Sequence, residues 1–327
     1  MNSPIPIVFA FDNNFAKPAF IAISSLIHYA NNDTKYKIYC IISNDVNQHN
    51  INEISQLNNK QTQIEFIIAD IEFNDAYQHR KITTAAYYRL MTHKLIPNEN
   101  KIIYVDVDVL FKGDLSNVYN TKLGENIIGG VKNLFIHQVF EKHIENIPYW
   151  KKTFGDSKYT YINSGFLIMN LTEIRKTEIW KKWIKLSSQP WEYHDQDILC
   201  MTCKEKITYL APKYNSTYAI RAKEAINWDL FTKEELSQKP VVLHYTAGKP
   251  WNSKYMKQAD EWWYFVENHT DLYSYFLSNY KKNYKLHHKI KRLTNRVINK
   301  IKRLINRVIN KINILIIIFA TTSIHNW

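Results

Sequence analysis

Residues 5–110 alternate between short apolar runs and stretches with helical spacing. Ile5–Phe11 is continuously apolar, as a strand covered on both faces must be. Ala16–Tyr29 places Phe20, Ile23, Leu26 and Ile27 on one helical face. The same reading predicts strands at Tyr36–Ile42, Ile64–Ala69 and Lys101–Val105. It predicts helices at Asn50–Leu57 and Thr83–Leu95, the second capped by Thr83 or Thr84. Strands alternating with helices imply right-handed crossovers and a mostly parallel α/β sheet. Ligands bind such sheets beyond the carboxyl ends of the strands. Two polar clusters fall there, Asp12-Asn13-Asn14 and Asp106-Val107-Asp108.

Farther along, Ile162–Leu171 reads as a strand carrying Asn163, Ser164 and Gly165. Glu173–Leu186 is an amphipathic helix, Asp195–Thr202 begins another, and Val241–His244 is a short buried strand. The aromatic residues from Trp262 to Phe276 belong to a helix, where core packing is favoured over a sugar platform.

A chain of 327 residues, 45% hydrophobic and 22% charged, can bury one large core or two modest ones. Its three cysteines supply no disulfide framework and suit a reducing compartment. Cys200-Met-Thr-Cys203 has no second pair to make a zinc site. The formal charge of +13 changes meaning once it is located. Residues 281–327 hold twelve Lys or Arg and no acid, leaving 31 basic against 30 acidic residues before them. The body is therefore nearly neutral, and no nucleic-acid partner is expected. Within the tail, 289–299 is repeated at 300–310 with one change, a period that keeps an apolar stripe on a helix. Such a basic amphipathic helix suits an anionic membrane surface. No secretory leader is expected at the start. The apolar run 312–320 is far shorter than the roughly 20 residues a crossing needs.

Asp106 and Asp108, one residue apart past a buried strand, can gather onto one hard cation. His244, in His-Tyr-Thr-Ala-Gly-Lys-Pro-Trp251, can complete the ion's shell. Gly248 lets backbone N–H groups approach phosphate, and Lys249 offers it a positive charge.

Several blocks together resemble glycosyltransferase family 8, the retaining α-glycosyltransferases that include bacterial lipooligosaccharide galactosyl- and glucosyltransferases. They are Val8–Asn14, Thr83-Thr84 through Tyr88-Arg89-Leu90, Tyr104–Leu110, Tyr161–Gly165, His194–Leu199 and His244–Trp251. The resemblance covers residues 5 to 255. It implies a Rossmann-like GT-A catalytic domain, expected over 1–270; the membrane-associating reading of the basic tail, expected over 271–327, comes from the tail's own pattern. It also implies a UDP-galactose or UDP-glucose donor, Mn2+ or Mg2+, and a lipid-linked oligosaccharide acceptor. The expected location is cytoplasmic, on the inner face of the membrane. Carried over, Asp106, Asp108 and His244 hold the metal, while Ala10, Asp12 and Asn14 line the uracil and ribose pocket. Arg89 lies near the donor sugar and phosphates, Gly248 and Lys249 hold the diphosphate, and Asn163, Asp195 and Gln196 surround the transferred sugar. Gln196 stands where a nucleophile is expected; an amide suits positioning better, in a same-face substitution.

Two features depart from the family pattern. The His244–Trp251 block is one residue short, and Asn133 stands where relatives often carry aspartate. Asp195 could instead cap its helix. Two other readings stay open: a metal-dependent phosphohydrolase with Asp106 as nucleophile, and a non-catalytic, membrane-bound protein that binds sugar nucleotides or glycans.

Overall fold

The structure is a computed structural model that describes residues 3–69, 84–134, 161–222, 230–246, 248–252 and 258–281. Two compact units divide the chain, Met1–Lys249 and Pro250–Trp327. The eleven-residue repeats and the membrane reading of the basic tail lie outside the described residues, as does Thr83. No described helix is long and apolar enough to cross a membrane.

The first unit is built on a seven-stranded sheet: β1 (Ile5–Phe11), β2 (Tyr36–Ile42), β3 (Thr62–Ile68), β4 (Lys101–Val105), β6 (Ile128–Lys132), β7 (Ile162–Asn170) and β8 (Ile207–Tyr209). The order across it is β3-β2-β1-β4-β7-β6-β8. Every residue of β1 is buried. Its side chains alternate between two cores, Val8 and Ala10 on one face and Ile7, Phe9 and Phe11 on the other. The two faces account for the unbroken apolar run. Helix Ala16–His28 buries Ala16, Ala19, Ala22, Ile23 and Leu26 in the second of these cores.

The expected parallel arrangement holds for β3-β2-β1-β4 and again between β6 and β8; β7 alone departs from it. Strand β7 runs antiparallel to both β4 and β6. This reversal positions the site. It pairs Tyr104 and Val105 at the tip of β4 with Leu167 and Phe166 near the start of β7, so Asn163, Ser164 and Gly165 lie beside Asp106.

Two helices differ from expectation. Thr84–Met91 is a 3-10 segment that becomes α-helical only at Thr92–Leu95. Tyr87, Tyr88, Leu90 and Met91 are all buried, a wider apolar contact than one α-helical stripe offers. The Glu173–Leu186 helix is two helices, Leu171–Thr177 and Ile179–Ser187, because Glu178 adopts φ 51° and interrupts the ladder.

A second, three-stranded sheet joins β5 (Val109–Phe111), β9 (Ser216–Thr217) and β10 (Val242–His244), with β10 in the middle. Asp106-Val107-Asp108 is the link between β4 of the large sheet and β5 of the small one.

In the second unit, helix Asp260–His269 buries Trp262, Trp263, Phe265 and Val266. The Trp262 ring meets Trp251 and Phe276 at centroid distances of 5.7 and 4.9 Å, and the Trp263 indole donates to Pro250 O. These rings pack on one another, as a core does.

Candidate active site

Both sheets converge on the Asp-Val-Asp link. The Asp106 N–H donates to Gly165 O at 2.9 Å, extending the β4–β7 ladder by one rung. The Tyr245 N–H donates to Asp108 O at 2.9 Å, extending β10 against β5. The two acids are therefore fixed by different sheets, and His244 comes from the end of β10. Ligand atoms of Asp106, Asp108 and His244 all lie within 4.8 Å of one another. His244 Nε2 is 3.1 Å from Asp108 Oδ1 and 4.0 Å from Asp106 Oδ2. Ligands facing each other across an ion with bonds of about 2.0–2.2 Å stand about 4.4 Å apart at most, so small side-chain adjustments close this set. Two carboxylates and an imidazole can together hold one divalent cation.

A glycine makes this convergence possible. A Cβ on Gly165 would lie 2.2 Å from His244 Cε1 and 2.7 Å from Asp106 Oδ2. Any other residue there would occupy the space between His244 and Asp106.

Charge around the acids is balanced by two cations. Lys249 Nζ bonds Asp108 Oδ2 and donates to Tyr245 O at 2.9 Å. Burial works to raise the Asp108 pKa, but the Lys249 ammonium and the His244 ring outweigh it and hold that carboxyl well below the usual range. Buried Arg89 donates to Asp106 Oδ1 at 2.7 Å and to Ser164 O at 2.6 Å, and its guanidinium stacks 4.4 Å from the Tyr104 ring centroid. Arg89 Nε gives its hydrogen to Ala86 O, so the 3.1 Å approach of Asp195 Oδ2 is an ion pair without a hydrogen bond. Burial pushes Asp195 up to about 6, against the pull of Arg89 and with a further push from Asp106.

Gln196 is held by its neighbours. Its Oε1 accepts from Asn163 Nδ2 and from the Ser164 N–H, both at 3.1 Å, and its Nε2 donates to Tyr161 OH at 2.9 Å. An amide oxygen already engaged by two donors is suited to positioning. Asp195 lies inside helix His194–Thr202, whose first turn is bonded instead by Asp197, an acceptor from Tyr193 N–H at 2.8 Å. The capping reading of Asp195 is corrected accordingly.

At the β1 tip, Asp12 Oδ1 accepts from the N–H groups of Asn14 and Phe15, so this acid caps the turn after β1. Ala10 is buried, Asn14 is exposed, and Gly248 is exposed beside Lys249. Asn133 lies next to β7 through its N–H bond to Tyr161 O. Cys200 and Cys203 are buried, with Cys203 pushed up to about 12 by burial, and Cys200 bonds the backbone of Ile162; both behave as core residues.

Residue-level reasoning missed Asn215. Fully buried, it bonds His244 Nδ1 through Oδ1 and Asn163 Oδ1 through Nδ2, each at 2.8 Å. In a chain so rich in asparagine, only its place between Tyr214 and β9 could have drawn notice.

Residues 6–255 match Glycosyl transferase family 8. The chain belongs to this family. A Haemophilus influenzae protein named as a glycosyltransferase is 30% identical over 259 residues, 76% of this chain and 73% of its own length. The lipopolysaccharide 1,2-glucosyltransferase of Escherichia coli is 28% identical over 251 residues, covering 74% of this chain and 71% of the relative. Among solved structures, the galactosyltransferase LgtC, determined with donor and acceptor sugar analogues, superposes with a TM-score of 0.68 at 23% identity. That superposition covers 84% of this chain and 100% of LgtC. The family 8 chain thus has the GT-A fold and is a glycosyltransferase. Its membership favours neither the phosphohydrolase nor the non-catalytic reading.

Proposed function

We infer that this family 8 chain is a retaining hexosyltransferase that moves galactose or glucose from a UDP-sugar to a lipooligosaccharide or other glycan acceptor, with Mn2+ or Mg2+ bound. The observation that carries this reading is the meeting of Asp106, Asp108 and His244 with Lys249 alongside. The activity for which the Escherichia coli relative is named supports a sugar of glucose type and a lipopolysaccharide-type acceptor.

Asp106, Asp108 and His244 would hold the ion, which when bound supplies positive charge to a departing diphosphate. Lys249, released from Asp108, adds its ammonium to the same phosphates, with Gly248 allowing close backbone approach. Asp12, Ala10 and Asn14 bound the nucleoside end at the β1 tip. Asn163, Asp195 and Gln196 face the sugar, and Gln196 orients it while the acceptor hydroxyl attacks from the face the diphosphate leaves. Arg89 acts behind them by fixing Asp106 and Asp195.

UDP release from UDP-galactose and UDP-glucose, measured with and without glycan acceptors, tests the assignment. Release should require Mn2+ or Mg2+, and should vanish in chelator and in Asp108→Ala protein that keeps the wild-type circular dichroism spectrum. Equal release in chelator would overturn the metal role.

A further inference from the structure

Asn215 closes the 3-10 turn Pro212–Asn215 directly before β9, and β9 pairs with β10 so that Thr217 stands opposite His244. This register carries its side chain under the His244 ring, out of contact with solvent. A buried amide must satisfy both of its ends, and here both partners can be oriented without ambiguity. Asn163 Oδ1 accepts the Gly165 N–H at 3.0 Å, and that backbone group can only donate. The Asn163 atom facing Asn215 is therefore an oxygen, so the Asn215 atom facing it is the NH2 group. Asn215 Oδ1 is then the atom 2.8 Å from His244 Nδ1, which must carry a hydrogen whether or not Nε2, 3.1 Å from Asp108 Oδ1, carries one as well. The second backbone anchor, Ser164 N–H on Gln196 Oε1, fixes the remaining amide in the same sense.

We propose that Asn215 is a positioning residue that holds His244 as the Nδ1–H form, turns Nε2 toward the two aspartates, and ties that ring through Asn163 to Gln196. One side chain thereby links the metal-facing group to the sugar-facing amides. A ligating histidine is oriented by the partner of its other ring nitrogen; Asn215 fills that place here. The proposal rests on the reading of Asp106, Asp108 and His244 as an ion site.

Two substitutions separate the two bonds. Asn215→Asp keeps an acceptor for His244 Nδ1–H and removes the donor to Asn163. Asn215→Leu removes both. Full-length, metal-free protein with 15N-labelled histidine reports by NMR whether Nδ1 carries a slowly exchanging hydrogen, with the His244 signals identified by their absence in His244→Gln. Wild type and Asn215→Asp should show this Nδ1 hydrogen, and Asn215→Leu should lose it. Calorimetric titration with Mn2+ alone should show binding weakened about 10–100-fold in Asn215→Leu, the cost of losing an outer partner of a ligand, with Asn215→Asp close to wild type. An Asn215→Leu protein with native near-UV circular dichroism, a slowly exchanging Nδ1 hydrogen as in wild type and wild-type Mn2+ affinity would overturn the proposal. So would loss of the Nδ1–H form in Asn215→Asp, which decides the matter if the leucine variant does not fold. Absence of Mn2+ binding in wild type would count against the ion site, and the NMR measurement would still judge Asn215.

Discussion

Replacing Gly165 by alanine adds a single methyl group to the most crowded point of the site. The new Cβ would stand 2.2 Å from His244 Cε1, where carbon atoms pack at about 3.5–4.0 Å. One of them must yield by about 1.3 Å or more. The His244 ring is buried and bonded through Nδ1 to Asn215 at 2.8 Å, and β7 is flanked by β4 and β6. Overpacking costs about 1–3 kcal/mol, and a broken His244–Asn215 bond adds about 0.5–1.5 kcal/mol. At about 2–4 °C per kcal/mol for a unit of this size, calorimetric unfolding in chelator should show Tm falling by several degrees. Mn2+ titration of the same protein should show affinity lost more severely still, because a ligand itself is displaced. An alanine variant with unchanged Tm and wild-type Mn2+ affinity would refute the steric account.

Three further outcomes are expected. Lys249→Met removes the ammonium that competes for Asp108, so calorimetry should show tighter Mn2+ binding without donor and weaker UDP-sugar binding with Mn2+ present; changes of like sign would contradict this. Arg89→Met leaves Asp195 buried without its cation, and breaking such a pair costs about 3–5 kcal/mol in chemical denaturation; a loss within the about 0–1 kcal/mol of an exposed pair would argue against it. Burial, reinforced by Arg175, lowers His93 from 6.5 to about 4, so between those pH values the unfolded chain binds more protons and stability falls as pH drops from 6.5 toward 4. His93→Phe, which keeps a ring against Trp180, should lose less stability across that window in urea titrations, whereas parallel pH curves would exclude the effect.

The strands of the parallel half were legible because β1, β2 and β4 are nearly unbroken apolar runs, and those runs record burial on both faces. Direction was not legible for β7, since antiparallel pairing with β4 depends on contacts more than sixty positions apart rather than on local pattern. Strand β6, Ile-Gly-Gly-Val-Lys, has two glycines where a strand signal wants branched side chains, and it escaped notice. At Glu178 the apolar periodicity runs through a backbone break that no residue type there announces. Within the site, Asp106, Asp108 and His244 stood out by residue type and order. Their closeness required Gly165, and the orientation of the imidazole required Asn215. An alternating pattern reports which face a residue lies on; it does not report which distant side chain fills the gap left by a missing Cβ.

Asp106 is stitched into the large sheet and Asp108 into the small one, with His244 on the small sheet's middle strand. An ion gripping all three would act as a rivet between layers joined at this point by a three-residue strap and the Asn215–Asn163 bond. Its loading should slow amide hydrogen exchange in β9 and β10, far in sequence from either aspartate, because whatever binds only the assembled arrangement resists its opening. Its departure would remove that tie and leave the shared apolar core, where Phe111 meets Phe9, to hold the two sheets together.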